Sequence, residues 1–202
     1  MENMMSQSEP HPLILASGSP RRRDLLEQAG LTFRVIPSTL DESSVRVSPP
    51  ENHVRVLANA KAMEIAELYP KSWVIGADTL VLMGDAVLGK PDSAARARQM
   101  LNALSGRTHR VLTGYCICCK GAGRSFSETV ETKVLFKTVS EGEIDWYINT
   151  SEPYDKAGGY AVQGLGTFLV KRIEGSYTNV VGLPVCEVME YLLREGVIER
   201  HA

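Results

Sequence analysis

THRVLTGYCICCKGAGRSFSETVETKVLFKTV, residues 108–139, decides the fold. Its two flanks, 108–119 and 125–139, are strand-like, and Gly121-Ala122-Gly123 between them supplies the backbone freedom of a turn. A long hairpin of this kind is antiparallel. The segments before it alternate short apolar runs with helical patterns, which argues for parallel strands joined by helices. Both together imply an α/β fold with a mixed, twisted sheet and flanking helices.

Working upstream, residues 73–83, WVIGADTLVLM, form another strand-like run, turned by Gly84-Asp85. Residues 13–16 predict a short buried strand. Ser17-Gly18-Ser19-Pro20 then turns into a helix over 20–29, with Ser19 as N-cap, Pro20 as its first residue and Gly30 as its stop. Residues 32–37 predict a second strand, and 38–51 a loop rich in Ser, Pro and acids. A helix over 52–69 carries the apolar stripe Val54, Leu57, Ala58, Ile65 and Leu68. Asp92 is expected to cap a helix ending at Leu104, with Ala97, Met100, Leu101 and Leu104 facing inward.

Downstream, Ser140-Glu141-Gly142-Glu143 is a capping-box pattern opening a helix to Asn149. Residues 152–184 are glycine-rich and predict short strands. Pro184 opens a last helix. Residues 1–11 are a polar tail, and 12–202 are expected to form one domain.

The chain has 202 residues, 22 Lys+Arg against 24 Asp+Glu, a net charge of −2 and 44% hydrophobic residues. That balance is globular, and it excludes the broad basic footprint of a nucleic-acid binder, so no stable nucleic-acid partner is expected. The first Arg is Arg21 and the first Lys is Lys61, so no basic leader precedes an apolar run. No stretch approaches the ~18 apolar residues of a membrane span. The expected compartment is the cytoplasm. Four cysteines in this length are no disulfide scaffold, and Cys116, Cys118 and Cys119 lack a second ligand pair for zinc.

Informative residues are those that break local rules. Arg21, Arg22 and Arg23 crowd a helix N-terminus, where acids are favoured. With free N–H groups and the Ser17–Ser19 turn they would hold a phosphate, unless they point outward to Asp24 or Glu27. Lys61 falls in the middle of the buried stripe, so it must snorkel, meet an acid or meet an anionic ligand. Asp78 is the one charge inside residues 73–83 and needs a metal, a cation or a proton donor, Lys61 among the candidates. Thr79 points to the opposite face of the same strand. His109 either lies near the site or satisfies a loop.

SGSPRRR (17–23), LDES (40–43), Lys61, ADTLV (77–81) and GKP (89–91) recur in that order. SGRTHRVLTG (105–114), EPYDKAGGYAVQG (152–164) and GSYTNVVGLP (175–184) follow. This set resembles the Maf family of nucleoside triphosphate pyrophosphatases over residues 13–195. The resemblance implies two lobes around a cleft, in a fold similar to the inosine triphosphate pyrophosphatases. It implies hydrolysis of a nucleoside triphosphate to the monophosphate and pyrophosphate. It also implies a divalent cation (Mg²⁺ first, Mn²⁺ or Co²⁺ as alternatives) and a homodimer.

Arg21, Thr79 and Gln163 are similar to the dTTP/UTP subgroup rather than to the 7-methyl-GTP subgroup. By the resemblance, Asp78 is the catalytic carboxylate. Ser17, Ser19, Arg21, Arg22, Lys61, Thr79, Lys90, Lys156 and Gln163 would bind substrate, and Glu42, Asp78 and Asp155 would hold the metal. Gln163 offers a donor and an acceptor to the O4 and N3–H edge of uracil or thymine. Two alternatives are a 7-methyl-GTP pyrophosphatase and a non-catalytic nucleotide-binding regulator of cell division.

Overall fold

In the computed structural model, residues 13–42, 45 and 49–199 are described. The expected tail over 1–11, His11, His201 and Ser43 of the LDES motif lie outside these residues. Strand β1 is Leu13–Leu15, helix α1 Pro20–Gln28, strand β2 Phe33–Val35 and helix α2 Pro50–Leu68. Strands β3, Trp73–Met83, and β4, Ala86–Leu88, come next, followed by helix α3, Ala94–Leu104. The hairpin is β5, Thr108–Cys119, and β6, Arg124–Phe136, and helix α4, Glu141–Ile148, follows it. The chain closes with strand β7, Val170–Glu174, and helices α5, Tyr177–Val181, and α6, Val185–Arg194.

Among the described residues there is one seven-stranded sheet, ordered β2-β1-β3-β5-β6-β7, with β4 paired to β3. The β2, β1 and β3 strands run parallel, and the other pairings are antiparallel. The hairpin pairs in register from Thr108 with Leu135 to Cys119 with Arg124, and Gly123 turns it at φ +62°. The mixed sheet implied by residues 108–139 is therefore present.

Strand alternation sorts the core. Even-numbered Ile14, Val74, Cys116 and Cys118 face α2 and pack with Ala58, Ala62 and Ile65. Odd-numbered Leu15, Ile75, Tyr115 and Ile117 face α1 and α6 and pack with Leu26, Val188 and Leu192. A third cluster joins the far end of the hairpin to α3 and α4 through Val134, Phe136, Met100, Leu101 and Tyr147. The helix α2 lies close on the sheet because β3 and β5 present glycines there. A Cβ on Gly76 would sit 2.4 Å from the Ala58 carbonyl oxygen, and one on Gly114 2.3 Å from the Val54 carbonyl. That approach puts Lys61 against β3.

Several local expectations change. The cap of α3 is Ser93, whose hydroxyl accepts from the Arg96 N–H, while Asp92 accepts from Ser93. Helix α2 starts at Pro50, two residues before the predicted start, since proline is tolerated at a first helical position. Leu68 is 69% exposed and leaves the stripe. The segment 152–184 holds one strand and one α-helix among 3₁₀ turns. Gly158, Gly159 and Gly164 lie at positive φ and break any ladder. The Ser140–Glu143 capping box forms as predicted.

Candidate active site

The strand β3 carries Asp78 toward α2 and Thr79 toward α1, as alternation demands. The Lys61 ammonium meets Asp78 Oδ1 at 2.8 Å and Glu42 Oε1 at 2.7 Å. The Lys61 and Asp78 side chains are each only 10% exposed. Lys61 thus answers its burial by pairing with acids rather than by snorkelling.

A second charged cluster lines the same cleft. Arg21 Nη1 donates to Asp155 Oδ2 at 2.8 Å, and Lys156 Nζ donates to Asp155 Oδ1 at 2.5 Å. Burial pushes the Asp155 carboxyl up, but the hydrogen bonds from Lys156 and Arg21 outweigh it and hold the carboxyl below its usual range. Lys90 and Gln163 line the same cleft and have no hydrogen-bond or ion-pair partner among the described residues. Ser19 lines it too, and its side chain makes no capping bond.

The three arginines separate. Arg21 faces the cleft, while Arg23 turns outward to Asp24 and Glu27. Arg22 is expected on a phosphate, yet the structure commits four of its N–H groups to the protein. Nε donates to the Gly182 carbonyl, Nη1 to Ser17 Oγ and the Ala77 carbonyl, and Nη2 to Thr79 Oγ1, all between 2.8 and 3.0 Å. Burial lowers the Arg22 pKa from its ordinary value, as the neighbouring Arg21 charge also does, against the attraction of Asp78 and Glu42. Arg22, itself held by Ser17, therefore braces Ala77 and Thr79 on either side of Asp78. The sequence reading missed Gly182, which lies at φ +133° and turns its carbonyl to Arg22. It also missed Thr113, whose hydroxyl is 3.0 Å from that of Thr79.

The cleft has two connected parts. One, of about 330 Å³, lies along the Ser17–Pro20 turn beside Arg21, Glu42, Lys61 and Lys90. The other, of about 220 Å³, runs past Asp78 and Thr79 to Gln163 and has an apolar wall of Val81, Val111, Val162 and Val180. The first suits a chain of phosphates, and the second suits a planar ring with a polar edge.

The expected carboxylate trio does not assemble. Glu42 and Asp78 meet on Lys61, whereas Asp155 is held by Arg21 and Lys156. Among the described residues, no three His, Cys, Asp or Glu side chains are grouped to cage a metal. Glu42 and Asp78 alone still suit Mg²⁺, which takes one or two carboxylates and completes its shell with phosphate oxygens and water.

His109, at 1% exposure, does not reach the cleft. Its Nε2 is 2.7 Å from the hydroxyl of Tyr160, which lines the cleft, so it satisfies the loop. The cysteines are free thiols, three buried and Cys186 exposed. No helix among the described residues is long and apolar enough to cross a membrane.

Fold and site define an α/β protein that gathers cations and carboxylates around a cleft shaped for a polyanion with a ring. The chain matches the family described as Maf-like protein over residues 12–195, and it belongs to that family. Membership implies a divalent-metal dependence in general. A dTTP/UTP pyrophosphatase of Syntrophus aciditrophicus is 52% identical over 184 residues, covering 91% of this chain and 90% of that protein. Another from Citrifermentans bemidjiense is 48% identical, covering 92% and 96%. A HAM1 protein from Coxiella burnetii shares the fold at a TM-score of 0.50 and 15% identity, over 92% of this chain and 99% of that one.

Proposed function

We propose that the protein hydrolyses dTTP and UTP, and modified pyrimidine triphosphates of the same edge pattern, to the monophosphate and pyrophosphate. The observation that carries this reading is the joining of the two charged clusters, Glu42–Lys61–Asp78 and Arg21–Asp155–Lys156, across one cleft that ends at Gln163. The names of the relatives agree with it.

In this reading the triphosphate lies along the Ser17–Pro20 turn. Arg21, Lys61, Lys90 and Lys156 neutralise its charge, and Ser19 offers it a hydrogen bond. Gln163 and Thr79 face the base. Water attacks the α-phosphorus, the α–β anhydride bond breaks, and pyrophosphate leaves with the bonding electrons. Asp78 orients that water and takes its proton, while Lys61 fixes the carboxylate. Glu42 and Asp78 would hold a divalent cation, Mg²⁺ by the chemistry of these oxygens, which would screen the phosphates and support the leaving group. Arg22, itself held by Ser17, braces the backbone around Asp78. The same reading places the enzyme with the cytoplasmic nucleotide pool, as a homodimer; family likeness supports the dimer, and sedimentation of the purified chain checks it.

The test is a nucleotide panel with Mg²⁺ and separate detection of pyrophosphate and phosphate. UTP and dTTP should give pyrophosphate and outpace 7-methyl-GTP. Phosphate as product, or no turnover of any triphosphate, would refute the reading. Asp78→Asn should remain folded and lose roughly 10²–10⁴-fold in kcat. Full activity in that variant would remove Asp78 from the chemistry.

A further inference from the structure

Three of the residues placed at the cleft, Asp155, Lys156 and Gln163, ride on one irregular segment whose ends are fastened by a single side chain. Glu152 Oε1 accepts from the Tyr147 hydroxyl at 2.8 Å and from the Gly166 N–H at 2.6 Å. Its Oε2 accepts from the Leu165 N–H at 2.9 Å. The Glu152 carbonyl accepts from Lys156 Nζ at 2.8 Å. The Tyr147 hydroxyl, fully buried, accepts in turn from the Ala161 N–H at 3.2 Å. One carboxylate and one phenol thereby tie residues 152, 161, 165 and 166 together.

The glycines around this knot are shaped to it. Gly164 sits at φ +67°, and a Cβ there would come within 2.4 Å of Glu152 Oε2. A Cβ on Gly166 would come within 2.7 Å of the Tyr147 hydroxyl and 2.4 Å of the Ala161 carbonyl oxygen. No cation neutralises the Glu152 carboxylate among the described residues; it is satisfied by three neutral donors. A negative acceptor makes such bonds stronger than a neutral one would. Neither Glu152 nor Tyr147 lines the cleft.

We propose that Glu152, backed by Tyr147, is a positioning residue. It clamps segment 153–166 in the conformation that presents Asp155, Lys156 and Gln163, and so sets the selectivity for the pyrimidine edge without touching substrate. The proposal rests on the pyrimidine pyrophosphatase reading above for its selectivity, and on the structure alone for its clamp.

Glu152→Gln keeps the side-chain shape and replaces one acceptor oxygen with an amide that faces N–H donors. Its preference for UTP over CTP, as a ratio of kcat/KM, should fall about 10-fold, the scale of one lost charged hydrogen bond. KM for UTP should rise more than kcat falls. Combined with Gln163→Ala, the loss of preference should not exceed that of Gln163→Ala alone, because both remove the same contact. Hydrogen exchange should speed up across residues 153–166 while the β5 strand stays protected. Tyr147→Phe should shift both readouts in the same direction by less, and it replaces Glu152→Gln if that variant does not fold. Unchanged preference with normal UTP turnover, additive losses, or unaltered exchange over 153–166 would overturn the proposal. If the wild-type chain turns over no UTP, the functional reading fails, and the exchange experiment still decides the clamp.

Discussion

The buried His109 should make this protein acid-labile by an amount that can be worked out. The imidazole is 1% exposed and boxed edge-to-face by Phe136 and Tyr160, with ring centroids at 5.0 and 5.3 Å. Only Nε2 has a partner, the Tyr160 hydroxyl; Nδ1 is buried with none among the described residues. Burial lowers its pKa from 6.5 to about 4. The unfolded chain therefore takes up a proton near pH 6.5 that the native state refuses until about pH 4. The stabilisation is fully present above pH 6.5 and is lost as pH falls toward 4. At about 1.4 kcal/mol per pKa unit the whole loss is about 3 kcal/mol, of which about 2 kcal/mol is gone by pH 5. His109→Gln keeps a group able to reach the Tyr160 hydroxyl and does not titrate. It should cost about 1 kcal/mol at pH 7.5 through lost aromatic contacts. Urea unfolding at pH 7.5, 6.5, 5.5 and 4.5 should then show the gap closing and the variant overtaking the wild type at about pH 5.8. Carboxylates elsewhere titrate alike in both proteins, so only the difference is read. A difference that stays constant across this range would mean that His109 gains no proton on unfolding there.

Arg22→Lys cannot reproduce a fork that reaches Ser17, Ala77, Thr79 and Gly182 at once, so kcat should fall about 10–100-fold with little change in KM; a raised KM at unchanged kcat would make Arg22 a phosphate ligand instead. Gly114→Ala would drive a Cβ to 2.3 Å from the Val54 carbonyl and push α2 off the sheet, costing about 1–3 kcal/mol in thermal or urea unfolding; an unchanged midpoint would mean that α2 moves freely.

The hairpin and the parallel strands were legible because their signals are local. Short apolar or strand-like runs, a glycine turn and a capping box each depend on neighbours in sequence. Segment 152–184 was not legible for the opposite reason. Its conformation is set by Glu152 reaching Leu165 and Gly166, and by the Thr132 hydroxyl accepting from the Ser176 N–H. Long-range side-chain bonds of this kind leave no periodic trace. The glycines were visible as exceptions, but their positive φ breaks strands rather than helping to build them.

The site shows the same division. Lys61 and Asp78 stood out because each is a charge on apolar ground, and the fold resolves both anomalies by placing one against the other. The arginine run divides by helical geometry. Three adjacent guanidiniums point about 100° apart on a helix, so Arg21 reaches Asp155 in the cleft, Arg22 lines the cleft while bonded to the backbone around Asp78, and Arg23 meets the solvent. The near-neutral composition is compatible with a site that needs both signs of charge. Each cation that would meet a phosphate, Lys90 excepted, rests against a carboxylate in the structure without ligand, and those acids keep the cluster from repelling itself apart. A phosphate chain entering the cleft has to compete with Glu42, Asp78 and Asp155 for Lys61, Arg21 and Lys156. A divalent cation held by Glu42 and Asp78 would ease that competition by supplying positive charge to the carboxylates and the phosphates alike.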